Sequence, residues 1–155
     1  MRSGKRQAGF TIVEIMIVVM IIGVLSALVL PGYRSNAIRA KVSEAILALA
    51  TCKNQVAELY QSGGDPPGSG NWGCEGSNMS RYVDTITTDD IGVITASVRG
   101  VGDLRVDFHD ITLAPLDNTG SLPTGGGAAI RQWRCGRAGD GTSVPPQYLP
   151  NSCRG

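Results

Sequence analysis

Glu14 is the residue in most need of a chemical explanation. It is the one charged group among the 21 residues from Phe10 to Leu30. A carboxylate inside an apolar run costs about 2.5–3.5 kcal/mol at mid-helix on insertion scales and less near an end. Such a group is kept where it finds a partner of opposite charge, so Glu14 is a functional candidate. Cys52, Cys74, Cys135 and Cys153 form the second set. They contain no CxxC pair and no compact Cys/His cluster, which points to disulfides in an oxidising compartment rather than to zinc. Of the three possible pairings, Cys52–Cys74 and Cys135–Cys153 are expected because both close local loops. Asp103, Asp107 and Asp110 lack the ordered oxygen ligands of a calcium loop and read as a solvated sheet face, with His109 a surface strand residue. No nucleophile elbow or HExxH motif is present, and Gly125-Gly126-Gly127 lacks the Lys-Ser/Thr of a phosphate loop. The sequence therefore predicts no catalytic residue, cofactor or metal, and no enzyme.

The elements that carry these residues follow from the pattern. As a helix, residues 10–30 span about 32 Å, close to the ~30 Å hydrocarbon core. A basic leader with Arg2, Lys5 and Arg6 precedes them. That charge predicts a cytoplasmic N-terminus and a C-terminal domain across the membrane. An ordinary signal peptide would have a shorter apolar run with its cleavage site after it. Gly23, Ser26 and Ala27 suit either close helix packing or ordinary span composition. Pro31 removes an N–H and crowds the preceding turn, so a kink is expected there.

From Tyr33 to about Gln61 the apolar residues fall on one stripe: Ile38, Val42, Ala45, Ile46, Leu49, Val56, Leu59 and Tyr60. The Gly- and Pro-rich run from Ser62 to Gly68 stops this amphipathic helix. Residues 62–90 read as a long loop. Strands are expected at Ile91–Val98, at Leu104–His109 by strict alternation, at Ile111–Leu116, and around Ala128–Cys135 at a bulge or sheet edge. The tail from Gly136 to Gly155 has no clear period and reads as a stapled surface loop. The fold class is α+β, a long N-terminal helix packed on an antiparallel four-stranded meander.

Gly9 followed by Phe10-Thr11-Ile12-Val13-Glu14-Ile15, behind a short basic leader, resembles the class III signal of type IV pilin precursors. Trp133-Arg134-Cys135-Gly136 and Tyr148-Leu149-Pro150-Asn151-Ser152-Cys153-Arg154 are similar to the disulfide-bounded C-terminal region of type IVa pilins. The resemblance implies that a prepilin peptidase cuts after Gly9 and methylates Phe10. It implies that Glu14 draws the amine of a neighbouring Phe10 and sets register during assembly, and that Pro31, with Tyr33 after it, marks a helix bend. The implied organisation is a leader at 1–9, an assembly helix at 10–31 and a pilin globular domain at 32–155. The implied product is a helical homopolymer, a surface fibre for adhesion and twitching motility, with DNA uptake a further role. The implied partners are the peptidase, membrane lipid before assembly, an inner-membrane platform, assembly and retraction ATPases acting indirectly, and an outer-membrane secretin. The pair Cys52 and Cys74 is not a general feature of that family.

Charge limits the partners further. The whole chain carries +1, and without the leader eleven basic residues face thirteen acidic ones. No basic surface for nucleic acid follows from that balance. A minor pilin or a type II secretion pseudopilin would share the N-terminal motif, although the C-terminal Cys pair favours a pilin. A membrane-tethered periplasmic binding module that never polymerises is the alternative of a different class.

Overall fold

The computed structural model describes residues 9–125 and 128–155, apart from the side chains of Leu30 and Pro31. The leader preceding Gly9 lies outside the described residues. Helix α1 runs from Ile12 to Gln61. The chain divides into two units, Met1–Asn36 and Ala37–Gly155. The division lies beyond the Pro31–Gly32 step at which the sequence places its boundary. α1 is assigned continuously through Pro31; the bend expected there turns on a side chain outside the described ones.

In the first unit α1 begins on a cap. The Thr11 hydroxyl accepts the Glu14 N–H at 3.2 Å, satisfying one of the free donors of the first turn. Described side chains from Phe10 to Val29 are all exposed. Residues Ile12–Val29 are long and apolar enough to cross a membrane, and none of them is buried within the chain.

In the second unit the same helix is amphipathic. Val42, Ala45, Leu49, Cys52, Val56 and Tyr60 are buried at steps of three and four, on the stripe read from the sequence, and Ile38, Ile46 and Leu59 pack at its margins. The helix ends in a Schellman motif. The Gly64 N–H bonds the Leu59 carbonyl, the Gly63 N–H bonds the Tyr60 carbonyl, and Gly63 takes φ +73°.

The sheet is an antiparallel meander, β1-β2-β3-β4-β5 in space as in sequence: β1 Gly76–Ser77, β2 Val83–Thr88, β3 Ile94–Val98, β4 Asp110–Leu116 and β5 Gln132–Cys135. Among the described residues it has five strands rather than the expected four. Two corrections produce that difference. The region taken as a loop, residues 62–90, holds two strands, β1 and β2: in β2 Val83, Ile86 and Thr88 turn inward, and a register shift between Val83 and Thr85 breaks the alternation that would have revealed it. The expected strand at Leu104–His109 is instead a turn. There the Asp103 carbonyl accepts the N–H groups of Val106 and Asp107, and the Asp107 carboxylate accepts those of Val101 and Gly102 at 2.7 and 3.0 Å. Short acidic side chains that take local backbone donors pull the chain out of a ladder.

β5 is an edge strand, which accommodates the awkward face shared by Arg131, Trp133 and Cys135. The tail is not a surface loop. It folds through three single 3-10 turns and adds Val144, Tyr148, Leu149 and Cys153 to the core. Thr112 on β4 and Thr142 in the tail form a buried hydroxyl pair at 2.7 Å, and the Thr112 N–H also bonds the Thr142 hydroxyl. Both polar groups are thereby satisfied without water.

Candidate functional site

The candidate residues fall in three places. Gly9, Phe10 and Glu14 lie at the start of the first unit. Among the described residues nothing beyond its chain neighbours would lie within 4 Å of a Cβ at Gly9, and Phe10 is 80% exposed. Glu14 is also exposed and sits in the first turn of α1. Together with Thr11 it forms the Thr-x-x-Glu arrangement of a capping box, in which a carboxylate also favours the positive end of the helix dipole. Sequence reasoning passed over this local role, although the spacing was readable. The carboxylate has no cationic partner among the described residues.

The second place is the junction of α1 with the following loop, where Cys52 is bonded to Cys74. Trp72 packs on Tyr60 with ring centroids 5.7 Å apart, and its indole N–H bonds the Asp89 carbonyl at 2.9 Å. Gly92, at φ +79°, lets this cluster close, since a Cβ there would lie 2.8 Å from Val56 and 3.1 Å from Trp72. Glu75 accepts the backbone N–H groups of Trp72 and Cys74 and the Thr88 hydroxyl. Burial pushes the Glu75 carboxyl upward, but these hydrogen bonds outweigh it and hold the group below its ordinary value.

The third place is the C-terminal staple, where Cys135 on β5 is bonded to Cys153. Gly136 takes φ +80° against the Cys153 carbonyl, where a Cβ would collide. The Gly155 N–H bonds the Cys135 carbonyl at 2.8 Å. Arg134 grips Asp140 through two bonds of 2.7 and 2.8 Å, a bidentate pair that fixes the intervening turn.

Among the described residues no group of three or more His, Cys, Asp or Glu side chains could hold a metal. Asp103, Asp107 and Asp110 lie in a turn and at the start of β4, not on a solvated strand face. Asp103 is taken up by Arg105 at 2.8–3.0 Å, a hydrogen-bonded pairing that holds its carboxyl far below the usual range. His109 ends that turn, with Nδ1 3.1 Å from the Asp107 carbonyl oxygen.

The second unit is a stapled α+β domain, and the first carries an apolar helix segment that finds no cover among the described residues. Residues 38–154 match the family model for pilin, described as a bacterial filament, and residues 4–30 match the prokaryotic N-terminal methylation motif. The chain belongs to the pilin family and is a structural subunit of a pilus. Similar proteins include the fimbrial protein EcpC of Eikenella corrodens, 32% identical over 96% of this chain and 91% of its own length. A type IV major pilin protein, PilE1, of Neisseria gonorrhoeae is 31% identical over 96% of this chain and 94% of its own. The type IV major fimbrial protein FimA of Dichelobacter nodosus is 28% identical over 96% of both.

Proposed function

We propose that the chain is the precursor of a major type IVa pilin, a non-catalytic subunit that leaves the inner membrane to join a surface fibre. Cleavage falls between Gly9 and Phe10, and Phe10 becomes the methylated N-terminus. Glu14 then attracts the amine of a neighbouring Phe10 and sets the register of addition, because a paired charge is tolerable in low dielectric where a lone one is not. Pro31 supplies a place for the helix to bend. Before assembly the N-terminus is cytoplasmic and residues 32–155 are periplasmic. The peptidase, the inner-membrane platform, the ATPases and the secretin act in that order of transit. Adhesion and twitching motility are the roles of the fibre, with DNA uptake a secondary one.

The observation that carries this reading is the exposed apolar helix from Ile12 to Val29 with Glu14 as its one charge. In water such a surface is unstable, so it requires lipid or copies of itself. The reading is tested by shearing cells and sequencing the fibre protein. This chain is expected as the dominant component, beginning at a methylated Phe10. A scarce band would make it a minor pilin, and absence from the fibre would leave the tethered binding module.

A further inference from the structure

The second unit is electrically polarised along α1. Where the helix ends, Glu58, Asp65, Asp89 and Asp90 are all exposed, and none of them meets a cation among the described residues. Hydrogen bonds gather them at one end. The Tyr60 hydroxyl donates to the Ile91 carbonyl at 3.1 Å, Trp72 links Tyr60 to the Asp89 carbonyl, and the Ser69 N–H bonds the Asp90 carboxylate at 2.8 Å. The side-chain partners of Asp89 and Asp90 are neutral N–H groups, which leave both charges uncompensated.

The opposite end carries cations. Arg39 lies about 28 Å from Glu58 along the helix axis at 1.5 Å per residue. Its Nε donates to the Gln147 carbonyl at 2.8 Å, and the Arg154 Nε donates to the Leu149 carbonyl at 3.1 Å. One nitrogen thus seats each guanidinium on the same short turn of the tail, and the Nη groups remain for other acceptors. Arg81 stands over the Tyr82 ring, which Lys41 reaches from α1. Arg39, Arg81 and Arg154 are exposed and outside any ion pair among the described residues. The acids nearby are less available. Asp84 and Asp103 are taken by Arg99 and Arg105, and Glu44, Asp107 and Asp110 are half-buried. Like charges gathered at one end repel one another, so this polarity gives the isolated unit no stability.

We propose that the acidic end of one subunit's globular domain meets the Arg39–Arg154 end of a second copy, a head-to-tail contact between domains in the fibre. This rests on the reading of the chain as a fibre subunit. Subunits of a helical fibre repeat head to tail, so every contact joins two different patches of one surface. The two ends are such a pair, with opposite unpaired charge. A two-fold pairing of either end with itself would set like charges together. The neighbour is then displaced by about 28 Å along α1. Arginine suits this role better than lysine, because its planar fork matches a carboxylate. Exposed ion pairs are individually weak and screened by salt, so the contact registers domains that the apolar helices already hold together.

The experiment uses the full chain expressed in cells, with sheared fibres analysed by mass spectrometry. Arg39→Glu with Arg154→Glu gives a copy that is acidic at both ends. Glu58→Lys with Asp65→Lys and Asp90→Asn gives one that is basic at both. Each alone is expected to cut fibre yield about tenfold, because like charges then meet. Expressed together they should restore it, with both variants in the fibre in comparable amounts. Co-expression cannot repair a chain that fails to fold, so recovery also shows that both variants are folded. Should either unfold at lower temperature than wild type in micelles, Glu58→Gln and Arg154→Gln, which disturb the fold least, should still each lower yield several-fold. Normal yield from the reversed or the neutral variants overturns the proposal. Co-expression no better than either variant alone also overturns it, and is the result expected if the acidic end holds a metal cation or the arginines a phosphate polymer. If the wild-type chain is itself absent from the fibres, the fibre-subunit reading fails first and the contact with it.

Discussion

Ile12–Val29 and Val42–Tyr60 are both α-helix within one continuous element, yet one exposes every side chain and the other buries a side chain at every third or fourth step. The difference lies in where the apolar surface finds cover. The later segment is covered by β2, β3, β4 and the tail, all within the same unit. The earlier segment has no cover among the described residues, and in a pilus subunit lipid or other subunits supply it. Residues of one type, Leu and Val, thus contribute to folding in one segment and to association in the other.

The largest break of this contrast is expected at Glu14. Glu14→Ala should abolish incorporation into sheared fibres while leaving cleavage and the unfolding of the globular domain as in wild type. Glu14→Gln, which keeps the size of the side chain but not its charge, should do the same. Fibres at normal yield from either variant would show that charge pairing is not the residue's function.

A matched pair of truncations sharpens the comparison next. Leu49→Ala removes a fully buried side chain and should destabilise the domain by about 2–5 kcal/mol. Leu25→Ala, on the exposed segment, should leave domain unfolding unchanged in micelles. Equal losses by thermal or denaturant unfolding would mean that the two segments do not divide their work in this way.

The smallest effect is expected from acid. Asp103 is held low by the Arg105 guanidinium, Asp117 by the Thr119 hydroxyl, and Glu75 by hydrogen bonds that overcome its burial. All three bind protons more weakly folded than unfolded, so stability is complete above the ordinary carboxylate range of about 4 and falls as pH drops through the lowered values. Thermal midpoints from pH 7 to 2.5 should be level and then decline below about pH 4. A decline that began near neutrality would implicate other groups.

Legibility in the sequence followed the strength of each physical signal. The stripe from Ile38 to Tyr60 was legible because burial against a single sheet enforces the 3.6 period. The helix stop was legible because Gly63 and Gly64 supply the motif that ends it. Val83–Thr88 was missed because a shifted register at Asp84 conceals its alternation and Gly- and Asn-rich chain precedes it. Leu104–His109 had a perfect alternation but folds as a turn, since Asp103 captured the N–H groups of Arg105, Val106 and Asp107. In the tail, Val144, Tyr148 and Leu149 reach the core through single turns, a geometry that leaves no period. At the candidate site, the apolar run and Glu14 stood out because charge is so rare there. The Thr11 cap was equally present but overshadowed.

The two disulfides close separations of 22 and 18 residues. The nested alternative, Cys52 with Cys153 around Cys74 with Cys135, would close much longer loops at an added entropic cost of about 2 kcal/mol. Pairing is therefore biased toward the native bonds before any native contact forms. If, as proposed, the chain emerges into an oxidising space from its N-terminal end, Cys52 meets Cys74 before Cys135 has appeared. Order of arrival and loop length favour the same partner, so a subunit still tethered by its N-terminal helix can complete oxidative folding with little need for reshuffling.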